Sequence, residues 1–232
     1  MKITFRCDPA LADLLPRPVA ARDQLPDWLR SMPARALSDF HAQEIRTVKH
    51  CPPFVDAMSA GFLIPLPCDV RVERGGRFSW DWSLPPLTLA DHTRSPLSFH
   101  VPAQMAGSPL FQPGRPAIKF NSFWTVELEP GYALLAMHPV NRLDLPFRLL
   151  TGLVDSDSFH EVGIFFPALW TDPDFEGVLP RGLPVAQCLA VRRETQELVF
   201  ETITGDKAER FGELSREILG TPGVYRRRFR AK

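Results

Sequence analysis

Twenty-four of the 232 residues are proline, about twice the usual share of roughly 5%. Proline has no backbone N–H, and its ring clashes with the preceding helical turn. These prolines are scattered along the chain and not gathered in one linker. Long helices are therefore excluded over most of its length, and strands joined by turns remain. Prolines and 14 glycines together still fall short of the roughly 25–30% that marks low-complexity chains. Apolar residues make up 44%, enough to build a core and to exclude wholesale disorder. The length fits one large domain with appendages.

The local patterns sharpen this reading. Pro26-Asp27-Trp28 opens a short helical turn that closes before Pro33,. Residues 44–51 read as a strand, and Pro52-Pro53 starts a short helix that stops at Gly61,. Residues 62–66 and 70–73 read as strands. A Gly75-Gly76 turn leads into 77–82, where Phe78, Trp80 and Trp82 alternate onto one face,. Residues 84–118 are the loosest stretch, interrupted by seven prolines from Pro85 to Pro116 and holding His92 and His100. Strand alternation returns over 118–129 and, after a Pro130-Gly131 turn, over 132–137,. Residues 149–191 read as short strands parted by turns.

A helix is expected from Asp206, as capping residue, to Gly220, with Phe211, Leu214 and Ile218 at helical spacing,. The chain thus divides into a 1–45 N-terminal arm packed on the core, a 46–200 β-rich domain, and a 201–232 C-terminal helix with a basic tail.

Charge and cysteines bound the partners. Lys+Arg and Asp+Glu are both 27. Nucleic-acid binders usually carry a domain-wide basic excess, so no nucleic-acid partner is expected. The exception is the tail, Arg226, Arg227, Arg228, Arg230 and Lys232. It reads as a solvated run or as a contact for a phosphate or an acidic partner. No leader-like apolar segment is visible at the start, and no run of about 18 apolar residues exists, so a cytoplasmic chain without a membrane span is expected. Cys7, Cys51, Cys68 and Cys188 lack C-x-x-C spacing and read as reduced, small hydrophobes.

Three segments carry chemistry. In residues 151–161, Asp155, Asp157, His160 and Glu161 follow an apolar strand. Paired carboxylates can hold a divalent ion or split their pKa values so that one acts as a base. The same residues also suit a polar turn whose aspartates cap backbone N–H groups. In the apolar run 183–191, Gln187 is the one amide, and a buried amide needs partners, either backbone or ligand. The strand 132–137 runs into His138, Asn141 and Arg142. His138 and His160 with the carboxylates also offer enough N and O ligands for a two-His, one-carboxylate site suited to Fe(II).

The order of segments resembles the dUTPase and dCTP-deaminase superfamily, the β-clip fold. The matching pieces are Ala60-Gly61, Pro130-Gly131-Tyr132, Gly152-Leu153-Val154-Asp155-Ser156-Asp157 and Gly182-Leu183-Pro184-Val185-Ala186-Gln187. They cover about residues 60–195. His50-Cys51-Pro52-Pro53-Phe54, residues 59–65 and Leu179-Pro180-Arg181-Gly182 look closer still to an uncharacterised bacterial and phage family, which supplies no activity.

The resemblance implies a mainly β, distorted-barrel fold and sites shared in a homo-oligomer. It also implies that Asp155 stands where the family orients its attacking water. Departures count as much. Phe62 and Leu63 replace the aspartate of the first motif, and His138-Pro139-Val140-Asn141-Arg142 replaces the phosphate-gripping turn. The glycine-rich closing segment is missing. A triphosphate needs N–H donors and charge neutralisation before it can be hydrolysed, so ordinary dUTP hydrolysis is disfavoured.

The expectation is a divergent small-molecule site, with nucleotide-related ligands among the candidates. Asp155, Asp157 and His160 would act catalytically, with His138, Asn141, Arg142 and Gln187 binding the ligand. The alternatives are a His/Asp metal-dependent enzyme holding a divalent ion, or a non-catalytic binding or assembly module with aromatic contact surfaces.

Overall fold

A computed structural model describes residues 1–89, 91–113 and 117–231. Pro116, read above as an interruption, and Lys232 of the basic tail lie outside the described residues. The fold is mainly β, with 29% strand against 21% helix. Its pairings are antiparallel and form open sheets, none of which closes into a barrel among the described residues.

The chain forms two compact units, each discontinuous in sequence, whereas the division expected above is contiguous. The first holds residues 1–26 and 58–193, and the second residues 27–57 and 194–232. In the first unit, the largest sheet runs in the order Gly152–Val154, Tyr132–Met137, Pro184–Arg192, Phe62–Pro65, Val19–Ala20. A four-stranded sheet runs Phe147–Leu149, Phe165–Trp170, Ala117–Asn121, Leu97–His100, and a three-stranded one Gly177–Leu179, Val70–Glu73, Arg77–Ser79. Thr4–Arg6 pairs with Thr125–Glu127.

The core of this unit follows the sequence pattern. Val70 and Val72 are buried while Arg71 and Glu73 are exposed, the period-2 signature of a half-buried strand. The strand Pro184–Arg192 is central in its sheet and buried from Pro184 through Cys188. Phe120, Phe147 and Phe166 are among the largest fully buried side chains, with the Phe120 and Phe147 rings 4.7 Å apart. Cys68 and Cys188 are buried and free. Burial pushes the Cys68 thiol up to about 11 and the Cys188 thiol higher still, so both behave as small hydrophobes. Cys51 is exposed and does not.

Several boundaries differ from expectation for local reasons. The strand expected over 118–129 is two strands in two sheets, Ala117–Asn121 and Thr125–Glu127. The Ser122 hydroxyl donates to the Trp124 carbonyl at 2.6 Å and accepts from the Trp124 N–H at 3.1 Å. Such local bonds compete with the ladder and turn the backbone. The Arg77 strand stops at Ser79, although Trp80 and Trp82 still pack on the core.

In the second unit, Arg35–Ser38 pairs with Gln43–Arg46. The strand expected to reach residue 51 ends at Arg46 and gives way to a short helical turn, Val48–His50. The helices are Asp27–Ser31, Pro52–Ser59, Asp206–Gly220 and Val224–Arg228, the second crossing the boundary between units. Asp206 does not cap. Gly205 occupies that position without a side-chain bond. Asp206 lies in the first turn, where a carboxylate still favours the helix dipole. No described helix is long and apolar enough to cross a membrane.

Candidate functional site

The seven candidate residues fall in three places, all within the first unit. Asp155 and Asp157 lie in a turn closed by the Ser158 and Phe159 N–H groups bonding to the Asp155 carbonyl at 3.0 and 2.7 Å. The turn replaces the extended geometry that would alternate their faces, and both carboxylates reach Arg193. Its guanidinium donates to Asp155 at 3.0 Å and also to Asp157. The Asp155 side chain is 61% exposed, that of Asp157 only 8%. Asp157 also accepts the Gly131 N–H at 2.9 Å. That bond, with Arg193 and Ser158, outweighs burial and holds its carboxyl below the ordinary value,.

The second place is the turn after Tyr132–Met137. Gln187 is buried, accepts the Val140 N–H at 2.9 Å and donates to the Ala60 carbonyl at 2.8 Å. His138 Nε2 meets the Arg142 carbonyl at 2.8 Å, and Nδ1 accepts the Leu149 N–H at 3.3 Å. These partners select the neutral tautomer with the proton on Nε2. Burial lowers the ring's pKa and outweighs the bond to the Arg142 carbonyl, which works to raise it. Asn141 sits exposed at φ +60° in the turn, and Arg142 forks onto Asp144 at 2.9 and 3.0 Å.

His138 and Asp155 leave opposite ends of the antiparallel pair in which Leu134 faces Val154 and Ala136 faces Gly152. At about 3.4 Å per residue, that five-residue offset puts them roughly 17 Å apart along the strand,. The two-His, one-carboxylate set drawn from both segments is thus not assembled, and no group of three or more His, Cys, Asp or Glu among the described residues could hold a metal ion.

His160 belongs to a third place, an open cleft of about 1230 Å³. Residues 159–165 form one wall. Residues 6–9, Leu89 with residues 91–93, Ser122, Phe123, Thr125 and Val154 supply the rest. Gly163 makes that wall possible, since a Cβ there would lie 2.3 Å from the Ser122 carbonyl oxygen. The Ser122 N–H bonds the Ile164 carbonyl across the same approach at 3.0 Å.

Asp8 pins the other side. It is fully buried, and accepts the Ala10 N–H at 2.9 Å and the Leu89 N–H at 2.7 Å. Burial works to raise its pKa, but these N–H groups, with the Thr88 N–H and hydroxyl, prevail and lower it. His92 lies over Phe123 with centroids 5.0 Å apart. Its Nδ1 bonds the Thr93 carbonyl at 2.8 Å, which leaves Nε2 of the neutral ring as an acceptor.

Two polar atoms of cleft-lining residues, His160 Nδ1 and Thr125 Oγ1, are buried without a hydrogen-bond partner among the described residues. Buried polar atoms are nearly always paired in folded proteins. The lining carries three carboxylates, Asp8, Asp91 and Glu161, against one guanidinium, Arg6, and Arg6 is already bonded to Glu127. That bond, aided by nearby His160, lowers the Glu127 pKa.

Of these cleft residues the sequence pattern marks His160 but not Asp8, Phe123 or Thr125. For Asp8 a signal exists. Asp8-Pro9 opens the Pro9–Leu11 helical turn with aspartate as cap and proline at the first position,.

No family model matches the chain, and no curated protein matches it. Among solved structures, it aligns with a mutant dUTPase from phage phi11 of S. aureus, a structure described as coordinating a structural Mg(II) ion. The alignment covers 89% of this chain and 99% of that one, with 9% identity and a TM-score of 0.38. No residue role passes from that protein to this chain.

Proposed function

We propose that the first unit binds an uncharged or cationic small molecule in the cleft beside the Asp155 turn. The site is walled by Val154 and by residues 159–165, so it borders Asp155 without centring on it. The observation that carries this reading is the pair of unpartnered buried atoms, His160 Nδ1 and Thr125 Oγ1. Leaving such atoms unpaired costs stability; both lie just beneath the cleft surface, so a ligand recovers that cost when the His160 and Thr125 side chains turn to meet it. Leu89, Val154, Phe123 and Ile164 give the rest of the ligand an apolar bed.

The excess of carboxylates, with Arg6 engaged, opposes a polyphosphate. Within the nucleotide-related class this favours a base or nucleoside over a triphosphate, and it speaks against dUTP pyrophosphatase activity. Asp155 and Asp157 then hold the hairpin through Arg193.

The test is a thermal-shift panel of bases, nucleosides and nucleotides. A ligand at about 100 times its Kd adds ~2.7 kcal/mol, a rise of roughly 5–11 °C for this length. An uncharged member should raise Tm, its triphosphate should not, and His160→Leu with Thr125→Val should abolish the response. Equal shifts with the triphosphate, or an unchanged response in that double variant, would overturn the reading.

A second reading, self-assembly, is favoured by residues 194–204. They form neither helix nor strand, and Leu198, Val199 and Phe200 are 77%, 70% and 91% exposed. Contiguous exposed apolar side chains mark contact surfaces. Light scattering of wild type against Phe200→Ser would separate oligomer from monomer.

A further inference from the structure

The basic tail finds no role in that cleft, and its arginines are not equivalent. Arg228 is bonded to Glu217, and Arg230 forks onto Asp56. Arg227 donates to the Pro222 carbonyl at 3.0 Å. Arg226 has no ion-pair partner among the described residues, and the same holds for Arg46, at the end of the Gln43–Arg46 strand. The residue facing Arg46 across the ladder is another arginine, Arg35.

Arg46 and Arg226 line one pocket of about 210 Å³ in the second unit, together with His50, Thr221 and Tyr225. No carboxylate lines it. Two guanidinium groups approach Gly223 of the lining, where an added Cβ would lie 3.4 Å from Arg46 Nη1 and 3.5 Å from Arg227 Nη1. Like charges gathered around one pocket repel one another, and no carboxylate lines the pocket to offset them. The nearby acids, Glu217 and Asp56, are taken by Arg228 and Arg230.

We infer that this pocket is a phosphoryl-group site. It takes a phosphate ion or the phosphate of a monoester between Arg46 and Arg226, with His50 as a further donor. Guanidinium forks match the oxygens of a phosphoryl group. The pocket volume suits a single such group with its water and excludes a whole nucleoside triphosphate.

The full-length chain should be titrated calorimetrically at low ionic strength with inorganic phosphate and, separately, with phenyl phosphate. One saturable site is expected, for the free ion, the monoester or both; the preferred probe identifies the source. Arg46→Gln and Arg226→Gln should each weaken binding about tenfold or more, and the double variant should abolish it, with circular dichroism unchanged. Arg74→Gln removes the same charge from an exposed turn outside the pocket and should leave binding intact. Three results would overturn the inference: no saturable binding of either probe, equal heats from chloride at matched ionic strength, or undiminished binding in the double variant.

Discussion

The two ends of the hairpin region around Tyr132–Met137 hold similar residue types and treat them in opposite ways. At the far end, His138 and Gln187 have both ends of their side chains bonded to backbone. At the near end, His160 leaves Nδ1 buried and unpartnered. The difference teaches that a buried polar side chain reveals its role by what it leaves unpaired. A saturated group fixes the fold, and an unsaturated one marks a place where the fold leaves a polar atom uncompensated.

The largest expected effect tests the saturated end. Gln187→Leu removes the partner of the Val140 N–H and that of the Ala60 carbonyl, and should cost about 3 kcal/mol in chemical denaturation. A loss near zero would break the comparison, because Gln187 would then be dispensable to the turn.

His138→Leu should cost less, about 1–2 kcal/mol near neutral pH, and should change the pH profile. The folded protein holds His138 neutral, with its pKa below the unfolded value of about 6.5,. The unfolded chain therefore binds more protons just below that value. Wild-type stability should fall as pH drops through about 6.5, then level off below the folded pKa. The variant should lose that slope, whereas an unchanged slope would assign it elsewhere.

Asp157→Asn should act more weakly and on the acid side. Its folded pKa lies below the unfolded value. Its contribution is present above about pH 4 and is lost as pH falls through the folded pKa. A shallower acid limb in urea melts recorded from pH 5 to pH 2 is the expected sign.

The smallest stability effect belongs to the unsaturated end. Thr125→Val and His160→Leu remove buried atoms that bond nothing in the protein, so each should leave stability unchanged or raise it by up to about 1 kcal/mol. A loss comparable to that of Gln187→Leu would erase the contrast and place both residues in the frame of the fold.

Much of the fold was legible because its signals are local. Residues 70–73 alternate, Gly75-Gly76 turns, and Pro52 and Gly220 start and stop helices within a few residues of the pattern that announces them. The strand break at Ser122 was hidden because a hydroxyl bonding two residues along leaves the apolar alternation intact. The site was less legible. Asp155, Asp157 and His160 stand close in sequence, yet two of them close on Arg193 and only His160 reaches the cleft. The cleft draws on segments around residues 7, 92, 123 and 160, and no local pattern links them. In the second unit the charge run was visible, but which arginines lack a partner depends on Glu217 and Asp56.

The pairing of Thr4–Arg6 with Thr125–Glu127 has a consequence for how the chain acquires its shape. Arg6 and Glu127 are 121 residues apart, and Asp8 bonds a residue 81 positions away. During synthesis the first strand stays unpaired until its distant partner has left the ribosome. Closing so long a loop is slow compared with forming a neighbouring hairpin. The walls of the cleft are therefore among the last parts of the first unit to assemble, and a nascent chain halted before residue 125 holds that strand without its mate.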